Sequence, residues 1–285
     1  MPATLACGAW RLDLSRPRLM GIVNLTADSF SGDGCAGDVA RAVAHGLRLI
    51  EEGADLLDLG AESSRPGAAP VSAELELARL LPVLERLAGC GVPISVDTFK
   101  PEVMRAALAA GAAMINDIRA LAAPGALEAV AASDAAVCLM HMQGSPATMQ
   151  SGPHYDDVVV EVRDALARRV EAAEQAGIAR GRLVIDPGFG FGKTLEHNLA
   201  LLRGLDRFAL LGLPLLVGVS RKSMLGALSG RPVGERVHAS VAAAMLAAQR
   251  GAAILRVHDV AATRDALGVL AALAPPGQEK SAPAW

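Results

Sequence analysis

Short apolar runs alternate with longer helix-like segments eight times along the chain. The runs are continuously apolar rather than alternating in polarity, which is typical of parallel strands covered by helices on both faces. The predicted strands span residues 19–26, 56–61, 93–98, 114–118, 136–141, 183–187, 214–220 and 253–260.

The segments between these runs have helix signals. Residues 101–110 open with Pro101, which suits a first helical turn, and stop at Gly111. Residues 157–176 place apolar side chains on one face, and residues 235–250 are small and apolar on the side that we expect to be buried. Eight strand–helix units predict a (β/α)8 barrel of the TIM type, in the α/β class. An open doubly wound sheet is the alternative, but no predicted strand is followed by a G-x-G-x-x-G turn.

The whole chain, residues 1–285, is predicted to be one domain, because we find no internal boundary that would split it. Residues 1–17 precede the first barrel strand, and we expect them to form a hairpin that closes the bottom of the barrel. Residues 274–285 include two consecutive prolines and a glycine, and we expect this tail to be disordered.

Composition narrows the class of protein. The chain is 52% hydrophobic and 20% charged, with a formal net charge of −3 and no basic run, so nothing indicates nucleic-acid or membrane-surface binding. Four scattered cysteines, Cys7, Cys35, Cys90 and Cys138, predict reduced thiols rather than disulfides or zinc ligands. We see no signal peptide and no apolar segment of membrane-spanning length, so we expect a cytoplasmic protein.

Polar side chains recur at the carboxyl end of almost every predicted strand. Any one of them could be a helix cap or a satisfied buried group, but their repetition at one end of parallel strands indicates an active site, which barrels of this type place at that face. The residues are Asn24, Asp58, Asp97, Asn116, Asp117, His141, Asp186, Lys222, Arg256 and His258.

The chemistry of these side chains suggests two kinds of ligand. Asp97, Asn116, Asp186 and Lys222 together suit a flat heterocycle rich in N–H and C=O groups. Positive groups on the last strand, with Arg65 on a loop, suit phosphate oxygens.

The first loop suggests a third ligand. Asn24 and the aspartates that follow it suit a hard cation such as magnesium, which prefers oxygen ligands and commonly bridges phosphates.

Two neighbours of the site have structural explanations as well. Asp58 is as consistent with backbone contacts as with substrate binding. Arg221 is better explained by an ion pair with a surface carboxylate than by a ligand contact.

Residues 188–194 look like a phosphate-binding loop but fail on inspection, because the required first glycine falls at Pro187. We interpret them as a tight loop, with Phe191 and Lys193 facing the site. His141 is better explained as a structural histidine than as a metal ligand, because no second histidine has zinc spacing.

Eight motifs follow one another in order: MGIVNLTADSFS at 20–31, GAESSRPG at 60–67, SVDT at 95–98, IND at 115–117, LMHMQG at 139–144, DPGFGFGK at 186–193, GVSRKS at 218–223 and RVHD at 256–259. Together they resemble the dihydropteroate synthase family from about residue 12 to residue 272. The resemblance implies condensation of a dihydropterin-methyl diphosphate with 4-aminobenzoate in folate biosynthesis, by an SN1-like path with Mg²⁺.

The resemblance also implies roles for residues. Asp97, Asn116, Asp186 and Lys222 would hold the pterin. Asn24, Arg256 and His258 would receive the diphosphate, with magnesium at Asn24. We expect Asp97, Lys222, Arg256 and Asn24 to act in catalysis.

The remaining implied contacts concern 4-aminobenzoate. Phe30 of the first loop and Ser64 and Arg65 of the second would fold over it, and Ser223 would help hold its carboxylate, with Phe191 also in the site. The family resemblance further implies competition by sulfonamides, which mimic 4-aminobenzoate, and a homodimer through late helices.

Two loops depart from the family pattern. Ser64 stands where threonine is usual, and Ala27 stands where the first loop usually has proline, followed by a reordered Gly32-Asp33-Gly34. Two alternatives stay open. The departures in the first loop favour a non-catalytic pterin-binding paralogue. A pterin-dependent methyltransferase domain shares the barrel and the pterin residues, but it would not need the Ser-Arg-Pro-Gly loop or the pair Arg256 and His258.

Overall fold

Ten strands, numbered along the chain, form a hairpin and a barrel. The structure is a computed structural model that describes residues 4–26, 38–64 and 67–273. The strands are β1 (Thr4–Cys7), β2 (Trp10–Asp13), β3 (Arg18–Asn24), β4 (Leu56–Gly60), β5 (Ile94–Asp97), β6 (Met114–Asp117), β7 (Ala136–Met140), β8 (Leu183–Asp186), β9 (Leu216–Val217) and β10 (Ile254–Val257).

Strands β3 to β10 are parallel and lie in the order β8-β7-β6-β5-β4-β3-β10-β9. A parallel bridge between Ile185 and Leu215 joins the two edges and closes the barrel. The predicted (β/α)8 barrel is therefore confirmed, and the open doubly wound sheet is excluded.

The N-terminal hairpin packs against the bottom of the barrel, as predicted. Strands β1 and β2 pair antiparallel, with Leu5 opposite Leu12. Both side chains are buried in one apolar cluster with Met20, Leu56 and Met114, which lie at or near the amino ends of β3, β4 and β6. The hairpin thus covers apolar surface that water would otherwise reach.

Nine helices are described along the chain. They are α1 (Val39–Glu51), α2 (Ala73–Leu87), α3 (Pro101–Ala109), α4 (Ala126–Ala131), α5 (Val158–Gln175), α6 (Leu195–Arg203), α7 (Ser223–Ser229), α8 (Val237–Gln249) and α9 (Val260–Ala272). Local signals set their starts: Asp157 caps α5 by accepting hydrogen bonds from the amides of Val159 and Val160, and Pro101 begins α3. Within the described ranges, none of the helices is long and apolar enough to cross a membrane.

The ninth strand is much shorter than predicted. The apolar run at 214–220 forms a ladder only at Leu216–Val217. The reason is a turn: Arg221 has φ of 57°, and the amide of Lys222 donates to the carbonyl of Val219. This turn directs residues 220–223 into the mouth of the barrel. The other predicted barrel strands lose one to four residues in total, and β3 also begins one residue earlier, at Arg18.

The thiols behave as expected where they are described. Cys7, Cys90 and Cys138 are free, and Cys35 lies outside the described residues. Burial raises the pKa of Cys7 to about 12, so that this thiol is unreactive.

Candidate active site

One large cavity opens at the carboxyl ends of the barrel strands. Its volume is about 840 Å³, within the range of small-molecule sites. Ten of the twelve predicted site residues line it; Phe30 and Arg65 lie outside the described residues. The ten are Asn24, Ser64, Asp97, Asn116, Asp186, Phe191, Lys222, Ser223, Arg256 and His258.

A buried ion-pair network at this cavity joins residues from β4, β5, β6 and β10. The Nε of Arg256 donates to Asp58 at 2.6 Å, and another guanidinium nitrogen donates to Asp97 at 3.0 Å. Asn116 donates its side-chain amide to the same Asp58 oxygen at 3.2 Å. Asp58 therefore neither bonds to loop backbone nor lines the cavity. Its side chain is fully buried and orients Arg256 and Asn116.

The charges of this network depend on burial. Burial raises the pKa of Asp97 to about 7, although Arg256 opposes the shift. Burial alone would lower the pKa of Arg256, but Asp58 and Asp97 outweigh it and raise that pKa. The arginine is thus a permanent cation between two carboxylates, and Asp97 is the member that can titrate near neutral pH.

A second acid–base pair faces the cavity from β8 and from the turn after β9. Asp186 accepts a hydrogen bond from the amide of Gly188 at 2.7 Å, and burial raises its pKa. Lys222 donates to the carbonyl of Phe189 and lies 4.8 Å from the ring centre of Phe191. Burial lowers the pKa of Lys222 to about 8, so its ammonium is easily deprotonated.

The loop after β8 is held against the segment after β7. Lys193 donates to the carbonyl of Phe191 at 2.9 Å and lies 3.1 Å from Nδ1 of His141. A Cβ at Gly188 would lie 1.9 Å from the carbonyl oxygen of His141, so only glycine fits there. Burial lowers the pKa of His141 to about 3, which agrees with a neutral, structural histidine.

The last strand contributes two contacts to the mouth. Nδ1 of His258 lies 2.9 Å from the hydroxyl of Ser220, and the same hydroxyl accepts the His258 amide. Arg221 forms a two-pronged ion pair with Asp259, at 2.6 and 3.1 Å. The expected carboxylate partner of Arg221 is therefore found, but it is a half-buried residue at the end of β10 and not a surface group.

Asn24 is the expected magnesium contact, and it lies half-buried at the end of β3. Over residues 4–26, 38–64 and 67–273, no cluster of three or more histidine, cysteine or carboxylate side chains could hold a metal by itself. A single amide oxygen fits a cation that takes most of its ligands from a bound diphosphate and water, which is the usual mode of magnesium.

Comparison with known proteins identifies the family. The family model described as "Pterin binding enzyme" matches residues 20–258. The dihydropteroate synthase of Escherichia coli K12 is 53% identical over 262 residues, which is 92% of this chain and 93% of that protein. The chain belongs to the dihydropteroate synthase family.

Solved structures of dihydropteroate synthase agree in fold. The Xanthomonas albilineans enzyme with 4-aminobenzoic acid has 58% identity and a TM-score of 0.90, and covers 96% of this chain and 100% of its own. The same enzyme in complex with 7,8-dihydropteroate gives a TM-score of 0.85 at 54% identity, with 96% and 100% covered. The family expectation from the eight motifs is thus confirmed.

Sequence reasoning missed how the dihydropteroate synthase site is braced. The role of Asp58 was left open, although a signal existed: it stands two residues after Leu56, whose side chain is in the barrel interior, and strand side chains alternate. The partners Asp58 and Arg256 are 198 residues apart, so only the closed barrel brings them together.

Proposed function

We propose that the chain condenses (7,8-dihydropterin-6-yl)methyl diphosphate with 4-aminobenzoate to give 7,8-dihydropteroate and diphosphate. The observation that supports this most directly is the placement of Asp97, Asn116, Asp186 and Lys222 around one cavity in a chain of the dihydropteroate synthase family. Acceptors and donors in that arrangement match the edge of a pterin ring, which presents both N–H and C=O groups.

The pterin would lie deep in the barrel. Asp186 and Asp97 would accept its N–H groups, while Asn116 and Lys222 would reach its carbonyl and ring-nitrogen acceptors. Asp58 holds Asn116 from behind at 3.2 Å, so the amide is fixed before the ligand arrives. The half-buried ring of Phe191, beside Lys222, offers an apolar contact for the ring system.

The bond changes follow from the substrates. The C–O bond between the pterin methylene and the diphosphate breaks, and its electron pair leaves on the diphosphate oxygen. The methylene cation that remains is delocalised into the dihydropterin, and the ionised Asp97 stabilises it. The arylamine nitrogen then bonds to the methylene carbon, and its proton passes to the released diphosphate or to water.

The diphosphate would bind at the mouth, against Arg256, His258 and Asn24, all of which line the cavity. Magnesium at Asn24 would supply charge neutralisation for the leaving group. The Arg256 guanidinium is fixed by Asp58 and Asp97, so it would add positive charge in a set position. His258 is oriented by Ser220, which leaves its ring at the rim.

The 4-aminobenzoate would lie between the loops and α7. Ser223 begins α7 and Ser64 follows β4, and both residues line the cavity. We expect Ser223 to help hold the benzoate carboxylate, while Ser64, Arg65 and Phe30 fold over the ligand. Closing loops over this ligand would exclude water from the cation.

A homodimer is part of the proposal. Leu228 of α7, Leu246 of α8 and Val269 of α9 are 56%, 38% and 61% exposed, respectively. Large apolar side chains on neighbouring late helices support a self-association surface there.

The test is turnover with labelled 4-aminobenzoate, the pterin diphosphate and magnesium. We expect labelled dihydropteroate from the parent chain and a rate at least about 100-fold lower from Asp97→Asn, since a preorganised charge at a developing cation has effects of that size. Pterin binding without any product would favour the non-catalytic paralogue, and methyl transfer would favour the methyltransferase alternative.

A further inference from the structure

A charged cluster that the proposed mechanism does not use lies beside the second loop. The carboxylate of Glu62, directly after β4, forms an ion pair with Lys100, and Lys100 forms another with Glu76 of α2. The three side chains are 10%, 17% and 1% exposed, respectively. Buried ion pairs of this kind seldom add net stability, so stability alone does not explain the cluster.

The cluster ties the two ends of the second loop. One oxygen of Glu62 accepts the backbone amide of Val71 at 3.0 Å, across nine residues of sequence. The other oxygen is the one that meets Lys100. Arg79 of α2 also donates to the carbonyl of Ala61, 3.2 Å away. Glu62 is therefore fixed from both sides, and Ser63 and Ser64 follow it directly into the cavity lining.

Lys100 connects the second loop to the segment that follows β5. It precedes α3 and follows β5, the strand that ends in Asp97. Burial alone would lower its pKa, but its two carboxylate partners outweigh burial and raise it. Its ammonium also lies 5.0 Å from the ring centre of Phe99, and the Arg119 guanidinium lies 4.1 Å from the same ring centre.

We propose that Lys100 and Glu76 are positioning residues for the second substrate: through Glu62 they hold Ser63 and Ser64 at the mouth of the cavity. We call Glu62, Lys100, Glu76 and the Val71 amide the loop clasp. The proposal rests on the assignment of 4-aminobenzoate to this part of the cavity. Among the described residues, no hydrogen bond or ion pair joins the clasp to the pterin residues, although the charge of Glu76 raises the pKa of Asp97. The main effect should therefore fall on 4-aminobenzoate.

The test compares Lys100→Met with a matched control. Arg18→Met removes a similarly buried ion-pair donor, bonded to Asp55 at 2.9 Å, at the opposite end of the barrel. For Lys100→Met we expect the KM for 4-aminobenzoate to rise at least about tenfold, which is the scale of one lost charge-assisted hydrogen bond. The KM for the pterin diphosphate should stay within about twofold of the parent value. Arg18→Met should lower the melting temperature and leave both KM values unchanged.

A double variant separates positioning from folding. Lys100→Met leaves Glu62 and Glu76 buried without their cation, so it should lower the melting temperature, and Lys100→Met with Glu76→Gln should recover part of that loss. The KM for 4-aminobenzoate should stay raised in the double variant. A KM that returned to the parent value along with stability, or that never changed, would overturn the proposal.

Amide hydrogen exchange gives a readout that needs no turnover. We expect faster exchange at the Val71 amide in both Lys100 variants, since its acceptor Glu62 is no longer fixed, and unchanged exchange there in Arg18→Met. If the parent chain made no dihydropteroate, the proposed function would be wrong. The exchange rate at Val71 would then still test whether Lys100 fixes Glu62. Unchanged exchange at Val71 in the Lys100 variants would rule the clasp out.

Discussion

Replacing Arg256 by methionine should destabilise the chain strongly and in a pH-dependent way. The guanidinium bridges Asp58, which is 0% exposed, and Asp97, which is 17% exposed, while Arg256 itself is 21% exposed. Removing one partner of a buried ion pair costs about 3–5 kcal/mol because it leaves charge without compensation. For a chain of this size that corresponds to a fall of about 6–20 °C in melting temperature.

The sign of the pH dependence follows from the pKa of Asp97. In the parent chain the pKa of Asp97 is raised to about 7 in the folded state. The protonated carboxyl therefore contributes its full stabilisation below the pKa of Asp97 in the unfolded chain, and this stabilisation is lost as pH rises towards 7. In Arg256→Met the cation that favours the ionised form is gone, so the folded pKa rises further. The loss of stability should therefore grow between pH 7 and pH 8 in the variant and level off in the parent.

Thermal and urea unfolding of both proteins at pH 6 and pH 8 would measure this. Adding Asp58→Asn to Arg256→Met should restore part of the stability at pH 8, because one of the two uncompensated carboxylates is then neutral. A variant within about 1 kcal/mol of the parent at pH 8 would show that the Arg256 ion pairs behave as exposed ones, which have effects of only that size. Equal losses at both pH values would show that Asp97 does not titrate in this range.

Four further predictions concern the site. The pH profile of kcat/KM for the pterin diphosphate should be bell-shaped, falling below about pH 7 as Asp97 is protonated and above about pH 8 as Lys222 loses its proton, and Asp97→Asn should abolish the acid limb. Gly188→Ala should cost more than about 2 kcal/mol in urea unfolding, because its Cβ would lie 1.9 Å from the His141 carbonyl oxygen, while Gly177→Ala, which meets nothing within 4 Å, should cost about 1 kcal/mol. Removing magnesium with a chelator should raise the KM for the pterin diphosphate and leave the binding of a pterin without diphosphate unchanged in calorimetry. Sulfonamides should compete with 4-aminobenzoate in steady-state kinetics and should not compete with the pterin diphosphate.

The barrel could be predicted from sequence because its signal is repeated and local. Each strand is a continuous apolar run, and the helices begin at recognisable caps such as Asp157. Parallel strands in a closed barrel bring their carboxyl ends to one face, so polar residues at those ends could be assigned to one site without any knowledge of side-chain geometry.

The bracing of the site could not be predicted in the same way. Arg256 meets Asp58 across 198 residues of sequence, and Lys100 meets Glu62 across 38. Neither pair has a local sequence pattern, because the register of the strands, and not helix or turn geometry, brings the two partners of each pair together. The short ladder of β9 is a similar case: Arg221 must adopt a positive φ to form the turn, which no propensity predicts for arginine.

Measuring both products of one reaction mixture distinguishes condensation from binding alone. With the pterin diphosphate, 4-aminobenzoate and magnesium, we expect diphosphate and dihydropteroate to form in equal amounts. Asp97→Asn should suppress both products together. Tight binding of the pterin with no dihydropteroate, or diphosphate formed in the complete mixture without a matching amount of dihydropteroate, would show that the chain does not catalyse this condensation.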